Sequence, residues 1–261
     1  MKAIILSISS DIGCELAKAL QNKGYEVYGT FNNTKPNLTF RKENLLRLSI
    51  KDYGSLKYIN WIRSIGEWSL FISCIGTQNP VGKFTDVIID KWVEGIAENS
   101  TYQIAALINA IKYRSKDTIA SVIFFAGGGT NSATPFYSAQ TLGKISLIKS
   151  IELLDSEIKD VKFSILGPGW VKTKIHEATL NAKEKAGENY HKTINMINNP
   201  DRFNSVKKVV EDVFKLISLP RELVGGRNFS SVHDDLNFKN LKRLKDLDED
   251  FYKLRRKLND N

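Results

Sequence analysis

Short apolar runs separated by helix-length amphipathic stretches constrain this chain more than any other feature of its sequence. The runs are AIILSIS (3–9), EVYGTF (26–31), LLRLSI (45–50), LFISCIG (70–76), SVIFFAG (121–127) and VKFSILGPG (161–169). A last run near NFSSV (228–232) follows a Gly-Gly turn. Strand and helix in repeated alternation predict an α/β fold, a doubly wound parallel sheet with helices on both faces. In such sheets ligands bind beyond the carboxyl ends of the strands, so the candidate site residues are sought there. No internal repeat, low-complexity tract or linker divides the chain, and residues 1–235 read as one domain.

Two segments fall outside the alternation. Residues 172–204 are polar, carry His176 and His191, and stand where a substrate-covering segment would fall. Residues 236–261 read as a C-terminal extension. Within it Leu241, Leu244, Leu247, Phe251, Leu254 and Leu258 recur at spacings of three and four, the pattern of an amphipathic helix. Such a helix docks on its own domain or on another subunit, and the spacing is compatible with both.

Composition narrows the function classes. A chain of 261 residues can bury a substantial core without disulfides or metals, and 42% hydrophobic with 26% charged residues is ordinary for a soluble globular protein. No apolar run approaches the ~18 residues of a membrane span. The start, MKAIILSISSDIG, leads into a helix pattern with no small-residue cleavage site, so it reads as a first strand and not as a signal peptide. Cys14 and Cys74 are far apart in apolar surroundings and read as reduced packing residues, which suits the cytoplasm. The formal charge of +9 is spread along the chain without a basic stripe or reader motif, which argues against nucleic acid. An anionic small molecule accounts for the charge equally well.

The first run passes through SISSDIG into the helix-like CELAKALQNKG. A tight strand-to-helix turn aims backbone N–H groups and the positive helix end at what lies above, which suits a pyrophosphate. Glycines serve such turns because side chains block close approach. Here only Gly13 is a glycine; Ser7 and Asp11 stand at the other two positions. A plain strand–helix turn capped by Ser10 or Asp11 is the competing reading.

Further motifs follow in order, and over nearly its whole length the chain resembles the short-chain dehydrogenases/reductases. SISSDIG is similar to that family's TGxxxGxG turn, with Ser7, Asp11 and Gly13 at the glycine positions. SCIG (73–76) stands where the family has NNAG, ENST brings Asn99 to the position of its asparagine, Lys144 matches the lysine of YxxxK, and GPGWVKT matches PGxVxT through Pro168, Gly169, Val171 and Thr173. The resemblance implies a Rossmann-type sheet and NAD(P) as cofactor. It implies that Ser7, Ser9, Ser10, Asp11, Ile12 and Gly13 hold the pyrophosphate and that Ile75 and Gly76 pass close to the adenosine side. Pro168, Gly169, Val171 and Thr173 fall at the nicotinamide, and Lys144 at the ribose. Phe31 and Asn32 stand where an acid would bind a ribose 2′-hydroxyl or an arginine a 2′-phosphate, and Ser49 with Ile50 falls at the adenine. Lys35 and Arg41 in the following loop tilt the reading slightly towards NADP.

The catalytic set implied by the resemblance is incomplete. In the family a tyrosine donates a proton to the developing alkoxide, the lysine one turn later keeps the phenol acidic, a serine bonds the carbonyl and the asparagine holds a water. Lys144 and Asn99 are present, but Gln140 stands at the tyrosine position and Gly127 at the serine position. Neutral glutamine cannot deliver a proton. Tyr137 shares a helical face with Lys144 but lies about two turns, ~10 Å, away; Ser132 and Ser138 are further candidate hydroxyls. Two functions remain open. One is an oxidoreductase acting on a small polar, anionic carbonyl or alcohol with Tyr137 or a substrate group as proton source. The other is a cofactor-binding protein without turnover, a partner or regulator of an active homologue. Both imply a small-molecule ligand, a homo-oligomer (dimer or tetramer), and neither membrane nor metal.

Overall fold

The computed structural model describes residues 1–256. Every apolar run forms a strand: β1 (Lys2–Leu6), β2 (Glu26–Phe31), β3 (Leu45–Arg47), β4 (Leu70–Ser73), β5 (Ala120–Phe125), β6 (Val161–Gly167) and β7 (Arg227–Ser230). The strands are parallel and lie in the order β3-β2-β1-β4-β5-β6-β7. The order reverses at β1, between β2 and β4, which opens a crevice beyond the ends of β1 and β4.

Among the described residues nine α-helices lie between strands, α1 (Asp11–Asn22), α2 (Leu56–Ile65), α3 (Ile89–Asn99), α4 (Thr101–Ala110), α5 (Ser138–Glu157), α6 (Glu177–Ala182), α7 (Glu188–Asn198), α8 (Val206–Ser218) and α9 (Arg221–Val224), and a tenth, α10 (Phe238–Leu247), follows β7. Successive strand residues point to opposite faces, so β1 feeds two cores. Ile4 and Leu6 join Phe71, Phe124 and the apolar sides of α2, α4 and α5 on one face. Ala3 and Ile5 join Ile72, Leu16 and Leu20 of α1, and Val213 and Leu216 of α8 on the other. Both faces are dry, which explains why the strands read as continuous apolar runs.

The C-terminal extension differs from its sequence reading. The helix stops at Leu247; Asp248 is extended, and Leu258 lies outside the described residues. The acidic run DLDED (246–250) explains the stop, because negative charge opposes the negative end of a helix dipole. Leu241 of α10 is fully buried, and α10 packs against α9, so the helix docks on its own domain. The chain after it continues to dock. Phe251 is buried, Asn228 N donates to Tyr252 O at 2.9 Å, and the buried Arg227 guanidinium donates to Glu249 O and Phe251 O. Arg227 also stacks on the Phe251 ring at 3.9 Å. This tail covers part of the open edge of β7, a common way to protect an unpaired edge strand.

Candidate active site

A cleft of about 1390 Å³ opens beyond the carboxyl ends of β1, β4, β5 and β6. Of the residues singled out above, it is lined by Ser7, Ser10, Asp11, Ile12, Ile75, Gly76, Tyr137, Gln140, Lys144, Pro168, Gly169, Val171 and Thr173. Ser9, Gly13, Asn99, Phe31 and Ile50 are not on its wall, and Asn32 and Ser49 line a separate pocket.

The turn between β1 and α1 is built by close backbone approach. A Cβ on Gly13 would sit 2.7 Å from Ser7 O and 3.0 Å from Ile8 O, so no side chain fits. Ser10 caps α1 by accepting from Gly13 N at 3.0 Å. Ser7 has φ 55°, a left-handed conformation that favours glycine, so the turn keeps its glycine geometry with a serine in place. Asp11 reaches across the cleft: its carboxylate accepts from Lys174 N at 3.0 Å.

Asn32 and Ser49 meet in the second pocket, about 390 Å³, beyond the ends of β2 and β3. Its cations are Arg47 and Lys57, not Lys35 or Arg41, which lie on exposed loop positions. Parallel pairing of Phe31 with Arg47 brings the end of β3 beside the end of β2. The arginine two residues before Ser49 was the sequence signal for this. Phe31 itself packs against a core.

Lys144 and Gln140 lie one turn apart on α5, facing the cleft. Lys144 is 3% exposed, and its ammonium donates to Ile75 O at 3.1 Å and Phe125 O at 2.8 Å, clasping the ends of β4 and β5. Burial pushes its pKa down to about 8, with a small opposing contribution from Cys74. Cys74, which also lines the cleft, is a free thiol pushed up to about 12 by burial. A Cβ on Gly127 would lie 3.6 Å from Gln140 Nε2 and 3.2 Å from Lys144 Cγ. Positions 127, 140 and 144 therefore form one cluster.

Asn99 is buried at the end of α3, with every polar atom of its side chain committed. Its amide nitrogen donates to Thr77 O and Gly95 O, and its oxygen accepts from Thr77 N. It positions the loop after β4.

Tyr137 precedes the first turn of α5, and its hydroxyl is 2.6 Å from Thr179 Oγ1. Thr179 donates its only hydroxyl proton to Gln78 Oε1 at 2.7 Å, so Tyr137 must donate to Thr179. Burial raises the phenol pKa, which the Thr179 bond partly offsets. The phenol thus ties α6 to α5. Ser138 is committed as well, accepting from Trp92 Nε1 at 2.9 Å, whereas Ser132 lines the cleft.

The segment after β6 covers one side of the cleft. His176 lines it, stacked on Trp170 at 5.1 Å, and donates Nε2–H to Val171 O; burial lowers its pKa, and Nδ1 has no partner. His191 lies exposed on α7, away from the cleft wall. Sequence reasoning missed several contributors. Gln78 and Thr179 join the relay to Tyr137, and Tyr252 to Arg255 of the tail border the cleft. Nothing local marks them, because the fold alone brings them there. Among the described residues no cluster of His, Cys, Asp and Glu could hold a metal, and no helix is long and apolar enough to cross a membrane.

This architecture is the short-chain dehydrogenase/reductase fold. The chain is similar to a short-chain dehydrogenase/reductase from Saccharomyces cerevisiae at 19% identity, covering 90% of this chain and 97% of that one with a TM-score of 0.75. It is similar to a short-chain dehydrogenase family protein from Francisella tularensis (17% identity, 88% and 96% covered, TM-score 0.73). It is also similar to a small-chain dehydrogenase in complex with NADPH (15% identity, 88% and 95% covered, TM-score 0.69). No protein-family model matches the sequence, and no curated protein matches it.

Proposed function

We propose that this chain is an NAD(P)-binding protein of the short-chain dehydrogenase/reductase type that acts as an oxidoreductase on a small polar, anionic carbonyl or alcohol. The observation that carries this reading is a single cleft bordered by the glycine-shaped turn at Ser7, by Lys144 beyond β4 and β5, and by Thr173. NAD(P) would supply or accept the hydride. The turn would hold its phosphates, Lys144 its ribose, and Thr173 with Gly169 its nicotinamide amide. Arg47 and Lys57 support NADP, since both border the pocket where a 2′-phosphate would fall.

A second reading, cofactor binding without turnover as partner or regulator of an active homologue, is favoured by the commitment of Tyr137 to Thr179. Gln140 stands at the cleft, and the nearby Tyr137 phenol already donates to Thr179. Calorimetry with all four nicotinamide dinucleotides tests binding, and the absence of heat at millimolar concentration removes both readings. If the protein binds and wild type reduces ketones, loss of that activity in Tyr137→Phe selects the first reading over the second.

We further propose a cytoplasmic homo-oligomer paired through α3 and α5, because Ile89, Val93 and Leu142 are exposed on packed neighbouring helices. Sedimentation should show Val93→Glu dissociating the assembly, and a wild-type monomer refutes it.

A further inference from the structure

We propose that Asp11 is an internal anion seated where a dinucleotide pyrophosphate would lie, and that it sets how tightly this chain holds nucleotides. The inference rests on the nucleotide-binding reading above. Asp11 is the first residue of α1, a helix of 12 residues whose opening amides lack intrahelical acceptors. A carboxylate there is favoured by the same positive helix end that would favour a phosphate. Ser10 already takes the Gly13 amide.

What lifts Asp11 above an ordinary first-turn acid is its second partner. Its Oδ2 accepts from the backbone of Lys174, 163 residues away at the start of the segment that follows β6. Asp11 and Lys174 border the same cleft, so the carboxylate spans the space between the β1–α1 turn and the covering segment. Ser7, next to this space, keeps the left-handed backbone that glycine ordinarily serves. The seat has therefore kept its shape, while a side chain of the chain itself occupies it.

Two consequences follow. A pyrophosphate entering this space meets a like charge at close range, where repulsion is felt even at a solvent-facing contact. It must also break the Asp11–Lys174 bond, which couples nucleotide entry to release of the covering segment from the turn. Asp11 thus selects against phosphates at the turn and holds the segment in place without them.

The test is calorimetric NADPH titration of full-length wild type, Asp11→Gly and Asp11→Asn, with amide hydrogen exchange at Lys174 measured without nucleotide. Asp11→Gly should bind at least ~10-fold more tightly than wild type, with faster exchange at Lys174. Asp11→Asn should fall between them in affinity while keeping Lys174 protected, since its Oδ1 can still accept the bond without the charge. Raising salt should narrow the gap between wild type and Asp11→Asn. Asp11→Ser substitutes if the glycine variant does not fold, with the same expectation for affinity and exchange. Variants that bind no more tightly than a nucleotide-binding wild type overturn the role of Asp11 and leave the nucleotide reading standing. Binding by Asp11→Gly but not by wild type supports the role of Asp11 and removes cofactor use by the native chain. No binding by any variant at millimolar NADPH overturns both.

Discussion

Lys144 is the residue on which fold and proposed chemistry converge. Its ammonium bonds two strand-end carbonyls, so it holds the floor of the cleft that it borders. Burial brings its folded pKa to about 8, against 10.5 for the ordinary side chain. Between these values the unfolded chain binds the proton and the folded chain does not, so stability rises with pH through that window. Urea unfolding should show wild type gaining on the order of 2–3 kcal/mol relative to Lys144→Met between pH 8 and 10.5. Parallel curves for the two proteins would mean that the amine is not buried as described. The neighbouring pair tests the proposed proton donor. A Cβ at Gly127 would lie 3.6 Å from Gln140 Nε2 and 3.2 Å from Lys144 Cγ, so a hydroxyl at 127 would stand beside a phenol at 140. Under the reading without turnover, Gly127→Ser with Gln140→Tyr should create ketone reductase activity, and a general acid contributes ~10²–10⁴-fold. No gain in a variant that still binds NADPH would place the defect elsewhere.

At the scale of elements, the β1–α1 turn and the β4 exit make different demands on their glycines. Gly13 faces backbone oxygens of Ser7 and Ile8 that cannot move away without unwinding the turn. Around Gly76 the nearest atoms are 3.7 Å from a Cβ, in ordinary contact. Gly13→Ala should therefore cost about 3 kcal/mol or more, the range of overpacked and strained sites. Gly76→Ala should stay within ~0.5 kcal/mol. Thermal and urea denaturation of the two variants side by side reads the difference, and equal effects would contradict the packing of the turn. The covering segment is held at separate points: Asp11 to Lys174, and the relay from Tyr137 through Thr179 to Gln78.

For the whole molecule, the tail after α10 covers part of the β7 edge and forms one border of the cleft. Phe251 is buried, Arg227 stacks on it, and Asn228 N finds its acceptor in Tyr252 O. Deleting residues 248–261 removes a buried aromatic worth ~1.5–3 kcal/mol and a cation–π contact worth ~1 kcal/mol. We expect a loss of about 2.5–4 kcal/mol together with association through the uncovered strand. Chemical denaturation and light scattering measure the two effects. A truncated chain as stable and as dispersed as the full one would show that the tail is dispensable.

What the sequence by itself determined was the layered sheet, because a strand covered on both faces must be apolar on both, and each run here is. The positions of Gly13 at the tight β1–α1 turn, and of Lys144 and GPGWVKT at the cleft, were also legible, the first from the demands of a strand-to-helix turn and the others from the family resemblance. Tertiary structure alone decided the rest, because it turns on partners distant in the chain. Arg47 and Lys57 replace Lys35 and Arg41 at the second pocket because β3 pairs beside β2. Tyr137 by helical spacing and Asn99 by the family resemblance are candidate catalytic groups, and the fold bonds their side chains to Thr179 and to the Thr77 and Gly95 backbone. The last stretch reads as continuous helix by leucine spacing, but beyond Leu247 the chain leaves the helix, and Arg227 of β7 bonds its backbone carbonyls. Hydrophobic period reports which side of an element is dry; which hydrogen-bonding partner a side chain meets there depends on the whole fold.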